Sequence, residues 1–157
     1  MPSPSDPSLL SPLGKPTEYR ATYAPDLLYP ISRRIKRDEL GIDSDRLPFV
    51  GEDLWNAYEL SWLNPRGKPV VALGTFRVPA ASPNLVESKS LKLYLNSFNQ
   101  TTFADTAAVE ATVARDLAAA AGAAVAVTIA DLINRPPVAV GYPPGVSLDG
   151  LDVACDA

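Results

Sequence analysis

Hydrophobic and polar positions along this chain change period twice. From position 53 to 78 the run DLWNAYELSWLNPRGKPVVALGTFRV is rich in aromatic and β-branched residues. Leu54, Asn56, Tyr58, Leu60 and Trp62 alternate with Trp55, Ala57, Glu59, Ser61 and Leu63, and neither set is cleanly polar. Residue type, more than alternation, therefore predicts two strands here. Between them stands the turn Asn64-Pro65-Arg66-Gly67, in which Pro65 presets φ at the second position and Gly67 closes the turn. The pair is expected to form an antiparallel hairpin.

Beyond a proline-bearing loop at 79–87 the period becomes helical. Leu91, Tyr94, Leu95 and Phe98 fall at i, i+3, i+4 and i+7, one face of a helix, with Lys92, Asn96 and Asn99 on the other side. A second helix is predicted over 105–121, with Asp105 or Thr106 as N-cap, Val109, Val113, Leu117 and Ala120 facing inward, and Gly122 as its end. Residues 123–133 then read as a third strand and 145–157 as a fourth. The order ββααββ predicts an α+β fold, an antiparallel sheet with both helices on one face.

The ends carry a different composition. Residues 1–12, MPSPSDPSLLSP, mix prolines with serines and offer little to bury, so a disordered tail is expected. Residues 13–48 show short apolar clusters among charges with no sustained period, which predicts an extended arm lying over a core formed by residues 49–157. The basic cluster Arg33, Arg34, Lys36 and Arg37 is followed by Asp38 and Glu39 and reads as a solvated or salt-bridged surface.

Charge and residue inventory narrow the chemistry. A net charge of −4 argues against a nucleic-acid backbone or an anionic membrane as partner, because both need a basic face. The longest apolar run, residues 118–130, is interrupted by Gly122 and too short to span a bilayer. With no signal-peptide pattern either, a soluble cytoplasmic protein is expected. The absence of histidine removes a Ser-His-Asp triad, a Cys-His pair and an imidazole metal site. Neither a G-x-G-x-x-G nor a P-loop motif is present. Cys155, the single cysteine, has Asp152 and Asp156 nearby, which disfavour a thiolate, and reads as an inert strand residue.

One stretch asks for more: ESKSLKLYLNSFNQ, residues 87–100, crowds a carboxylate, two hydroxyls and two lysines at a helix start. Ser88 or Ser90 can cap the exposed amides, which is sufficient as a structural account. Glu87, however, sits where the helix dipole favours a carboxylate, and a fixed carboxylate accepts two parallel hydrogen bonds from an N–H pair such as the guanine edge presents. Lys89 and Lys92 beside those amides suit phosphate groups. The residues permit a site for a guanine-like base and a phosphorylated cofactor without singling one out.

The run from Leu47 to Phe103, with ESKSLKLYLNSFNQ at its centre, closely resembles the N-terminal half of the two-module 7-cyano-7-deazaguanine reductases, the QueF family of queuosine biosynthesis. LGKPTEY upstream and RDL at 115–117 extend the resemblance from Leu13 to the C-terminus. It implies the tunnelling fold (T-fold), with the same order of two strands, two helices and two strands. It further implies that Val86, Glu87 and Ser88 contact 7-cyano-7-deazaguanine, with Glu87 on its N–H edge, and that Ser88 and Lys89 contact NADPH. In the family a cysteine attacks the nitrile carbon to give a thioimide, which two hydrides from NADPH reduce to the aminomethyl product. That cysteine, the aspartate seven residues beyond it and a His-Glu pair belong to the second module, so this chain reads as the binding half, expected to partner a C-terminal catalytic module in the same or another chain and to form a homo-oligomer. Two alternatives stand beside it: a non-catalytic T-fold assembly module, and a T-fold module for another purine or a pterin.

Overall fold

A computed structural model of the chain describes residues 19–132, 141–142 and 144–154. In chain order the elements are a 3-10 turn (Pro25–Leu27), β1 (Pro30–Ser32), α1 (Arg33–Glu39), β2 (Glu52–Leu63), β3 (Pro69–Pro79), β4 (Asn84–Val86), α2 (Ser88–Asn96), α3 (Thr106–Ala121) and β5 (Ala126–Asp131). The fold class is the expected one, α+β with antiparallel sheets.

The β2–β3 hairpin forms at the predicted turn. Asn64 Oδ1 accepts the N–H groups of Arg66 and Lys68 at 2.9 and 3.0 Å, and the Gly67 N–H donates to the Asn64 carbonyl at 2.8 Å. Gly67 takes a φ of 78°, a left-handed conformation that glycine adopts without a Cβ penalty. Pairing slips by one residue between Ala57 and Leu60: Ala57 faces Gly74 and Leu60 faces Ala72, so Tyr58 and Glu59 together oppose Leu73. This is a β-bulge, and it moves the inward set from odd to even positions. Trp55 and Ala57 face the core before it; Leu60 and Trp62 do so after it. The bulge is the physical reason that no clean alternation runs through the strand.

β5 lies antiparallel to β3 on the side away from β2, giving the order β2-β3-β5. Helices α2 and α3 cover one face. Leu60, Trp62, Ala72, Phe76 and Val78 from the sheet meet Leu91, Tyr94, Phe98, Val109, Val113 and Leu117 from the helices in a single cluster. Trp62 and Phe76 are at most 2% exposed, and each large side chain so buried contributes roughly 1.5–3 kcal/mol. The predicted stripes point inward, except that Ala121 takes the full burial expected of Ala120.

Asp105 is the N-cap of α3, its Oδ1 accepting the Ala108 N–H at 2.8 Å. Gly122 ends the helix in the left-handed conformation, φ 72°, and its N–H returns to the Ala118 carbonyl. The third strand is shorter than predicted, lying within the expected span.

Two expectations need revision. Residues 145–154 form no strand; Asp149 N–H and Ser147 Oγ interact locally and the Leu151 N–H donates to the Leu148 carbonyl, so short-range turn bonding wins over a ladder. Cys155, like the 1–12 tail, lies outside the described residues. Within 13–48 the described part is more ordered than its lack of period suggested: β1 pairs with β4 in a second, two-stranded antiparallel sheet, and α1 follows directly. At seven residues α1 is too short to display a period. Its basic cluster is divided. Arg33 pairs with Asp53 and donates to Ser82 Oγ, Lys36 pairs with Glu39, and Arg37 is buried with its guanidinium on the Ala80 carbonyl.

Candidate functional site

The segment 21–32 runs beside α2 and ties itself to that helix at both ends. Ala21 accepts from Gln100, the Tyr23 N–H donates to Thr101 Oγ1, and the Ala24 N–H donates to Ser97 Oγ, all near the C-terminal end of α2. At the other end Pro30 pairs with Val86, the last residue of β4. Val86 is 3% exposed and delivers the chain to Glu87.

Glu87 is itself the N-cap of α2, with extended backbone at φ −66° and ψ 134°. Its Oε1 accepts the Lys89 N–H at 2.8 Å and its Oε2 accepts the Ser90 N–H at 2.8 Å. The serines expected as caps do other work. Ser90 Oγ donates to the Glu87 carbonyl at 2.7 Å, while Ser88, the first helical residue, is exposed and donates to Oε1 at 3.3 Å. A glutamate can replace the usual short cap because its two oxygens reach the second and third amides of the helix together. Glu87 is buried, yet its charge is supported by the aligned amides of the first turn.

Each carboxylate oxygen has two lone-pair directions, and the helix amides occupy one on each. The carboxylate is thereby held rigid; Oε2 keeps a lone pair, and the second on Oε1 is met only by the long 3.3 Å contact from the exposed Ser88 hydroxyl, which can rotate away. Ser88 and Lys89, exposed and partly exposed, flank it on the first turn; with the Lys89 and Ser90 amides taken by Glu87, their hydroxyl and ammonium are the donors that would meet a phosphorylated cofactor. Lys92 stands one turn further on the exposed side of α2. There an open cleft of about 860 Å³ runs between α2 and the bulged part of β2, lined by Tyr58, Glu59, Ser61, Lys92, Asn96 and Asn99 among others.

A second polar cluster was visible in the sequence only as RDL. Asp116 Oδ2 accepts both the Tyr23 and the Tyr94 hydroxyl at 2.7 Å, and Oδ1 accepts Arg115 Nε at 2.9 Å. Arg115 also donates to the Tyr23 oxygen at 2.6 Å. Both tyrosines are held above their ordinary pKa, by burial first and then by the hydrogen bond and charge of Asp116, so they stay protonated donors. Tyr94 and Phe98 meet edge to face at 5.1 Å beside this group. A carboxylate adjoining the inward stripe of α3 was the signal available. Its partner 93 residues away was not.

Among the described residues no group of His, Cys, Asp and Glu is placed to hold a metal ion, and no helix is long and apolar enough to cross a membrane. The carboxylate at Glu87 thus has the chemistry of a fixed hydrogen-bond acceptor, with no nucleophilic thiol beside it among those residues.

Comparison with known proteins places the chain in a family. The family described as nitrile reductase, 7-cyano-7-deazaguanine-reductase N-term, matches residues 19–129. The chain is 66% identical over 152 residues to a NADPH-dependent 7-cyano-7-deazaguanine reductase of Dechloromonas aromatica (strain RCB), covering 97% of this chain and 54% of that protein. Proteins of the same name from Azoarcus sp. (strain BH72) and Aromatoleum aromaticum are also 66% identical, over 146 residues, or 93% of this chain and 52% of each relative. The chain spans about half the length of the curated relatives it matches. By the family match across 19–129 and by these identities, it belongs to the 7-cyano-7-deazaguanine reductase family, in its N-terminal region.

Proposed function

We propose that this chain is the substrate- and NADPH-binding half of a cytoplasmic nitrile oxidoreductase that reduces 7-cyano-7-deazaguanine to 7-aminomethyl-7-deazaguanine in tRNA queuosine biosynthesis. The observation that carries the reading is the buried Glu87 carboxylate, fixed by two helix amides, with a lone pair left on Oε2 and one on Oε1 met only by the rotatable Ser88 hydroxyl. A base edge presenting two adjacent N–H donors satisfies that remainder. Val86 closes the apolar side of the contact, and the Ser88 hydroxyl sits at its rim.

Ser88 and Lys89 would receive the phosphate-bearing cofactor, which would supply one hydride per molecule, so that two molecules bind in succession for the two reductions. What this half contributes is orientation: it fixes the deazaguanine ring so that the nitrile faces a cysteine of the C-terminal module, where the thioimide forms. The relatives' greater length supports such a module as the second half of one polypeptide. Residues 49–157 are read as the T-fold module and 13–48 as its arm. A homo-oligomer belongs to the same proposal, with β2 and β5 at the two edges of the described three-stranded sheet as surfaces for it.

Calorimetric titration of the native polypeptide with 7-cyano-7-deazaguanine tests the reading. Glu87→Gln replaces one acceptor oxygen with an NH2 group facing helix N–H donors, and should weaken binding about 10- to 100-fold, the range of a charge-assisted hydrogen bond. Unchanged affinity in that variant would sink the proposal. Competition by guanine and a pterin ranks the ligand class, and a clear pterin preference would overturn the choice of deazaguanine.

A further inference from the structure

Tyr29 brackets the start of α2 from two directions. Its carbonyl accepts the Glu87 N–H at 2.9 Å, and its own N–H donates to Ser90 Oγ at 3.0 Å. Ser90, fully buried, also donates its hydroxyl proton to the Glu87 carbonyl at 2.7 Å and its N–H to Glu87 Oε2 at 2.8 Å. One small side chain therefore joins the backbone of the 21–32 segment to the backbone of the N-cap residue, while the same residue's amide grips that residue's carboxylate.

The helix does not need this hydroxyl. The Glu87 carbonyl already accepts the regular Leu91 N–H at 3.0 Å, and the amide at position 90 is capped by the Glu87 carboxylate whatever side chain that position carries. A buried hydroxyl with its proton and a lone pair both committed restricts something else: rotation of the Glu87 carbonyl, and with it the backbone angles that aim the Glu87 side chain. We infer that Ser90 is a positioning residue, bridging Tyr29 and Glu87 so that the Glu87 carboxylate is held in the direction that receives paired N–H donors; the inference rests on the ligand role proposed for Glu87.

The test compares Ser90→Ala, Glu87→Gln and Tyr94→Phe in the native polypeptide, well below their unfolding temperatures. Tyr94→Phe removes a buried hydroxyl away from the cap and controls for lost stability alone. Ser90→Ala is expected to weaken 7-cyano-7-deazaguanine binding about tenfold, the equivalent of one hydrogen bond. It is also expected to speed amide hydrogen exchange at Lys89 and position 90 more than at Leu93, with Tyr94→Phe changing neither. Binding unchanged in Ser90→Ala but lost in Glu87→Gln overturns the inference and leaves the role of Glu87 intact. Binding unchanged in Glu87→Gln overturns that role, and the inference with it. If Tyr94→Phe weakens binding as much as Ser90→Ala does, the effect is general destabilisation and the inference fails. Should Ser90→Ala not fold, Ser90→Cys, close in volume with only a weak donor, carries the same comparison.

Discussion

Tyr23 and Asp116 lie 93 positions apart and share a 2.7 Å hydrogen bond, the same carboxylate oxygen also accepting Tyr94. The contact closes a loop through most of the described chain. It pins the N-terminal segment against α2 and α3, and the same segment reaches Glu87 six residues further on, at Tyr29.

Asp116→Ala is therefore expected to destabilise the fold by about 2–4 kcal/mol, because two tyrosine hydroxyls lose their acceptor, one of them deeply buried. Asp116→Asn keeps an acceptor oxygen and should cost less. Chemical denaturation of both variants checks the order.

The same tyrosines give the fold an alkaline limit. Their pKa values are raised above the ordinary 10.0, so the folded state keeps protons that the unfolded state releases. Their contribution is complete below pH 10 and is lost as pH rises beyond it toward the folded values. Denaturation midpoints should fall progressively above pH 10, and Tyr94→Phe should reduce the slope. A slope identical in wild type and variant would contradict this account.

Gly122→Ala meets two obstacles at once. The position has φ 72°, and a Cβ there would lie 2.6 Å from Pro83 Cγ in the loop before β4. A loss of about 1–3 kcal/mol is expected, from the backbone conformation and the contact together. Thermal unfolding measures it. Gly141, with nothing within 4 Å of its would-be Cβ, is the comparison site and should tolerate alanine.

Deleting Glu59 removes the extra residue of the bulge. With Glu59 gone, Trp55, Ala57, Leu60 and Trp62 stand at every second position, so all four stay on the inward face and the register against β3 is kept. Deleting Tyr58 as well would turn Leu60 and Trp62, each 2% exposed, to the opposite face, so the double deletion should cost at least about 3 kcal/mol more than the deletion of Glu59 alone. Glu59→Ala, which keeps the register, should be nearly neutral. Circular dichroism melts of the two deletions and the substitution separate register from side chain.

What the sequence by itself determined are the features encoded within a few residues of one another. The Asn64–Gly67 turn, the inward stripes of both helices, the Asp105 cap and the Gly122 stop depend on i to i+4 relations, and each forms where the pattern places it, save that Ala121 is buried in place of Ala120. The candidate site comes from local pattern for the same reason, since Glu87 and its neighbours are contiguous. Tertiary structure decided which group caps α2, because Glu87 is aimed by β4 and by Tyr29 from another part of the chain. It decided the bulge, which exists only relative to the partner register on β3, and the strand at Pro30–Ser32, which has no period of its own and acquires an identity by pairing with β4. It decided the partners of Asp116 and Arg33 as well, because a charge pattern reports that a group must be satisfied but not by which distant residue. Local periodicity carries the free energy of single elements; register, cap choice and buried polar pairing depend on contacts between segments that are remote in sequence.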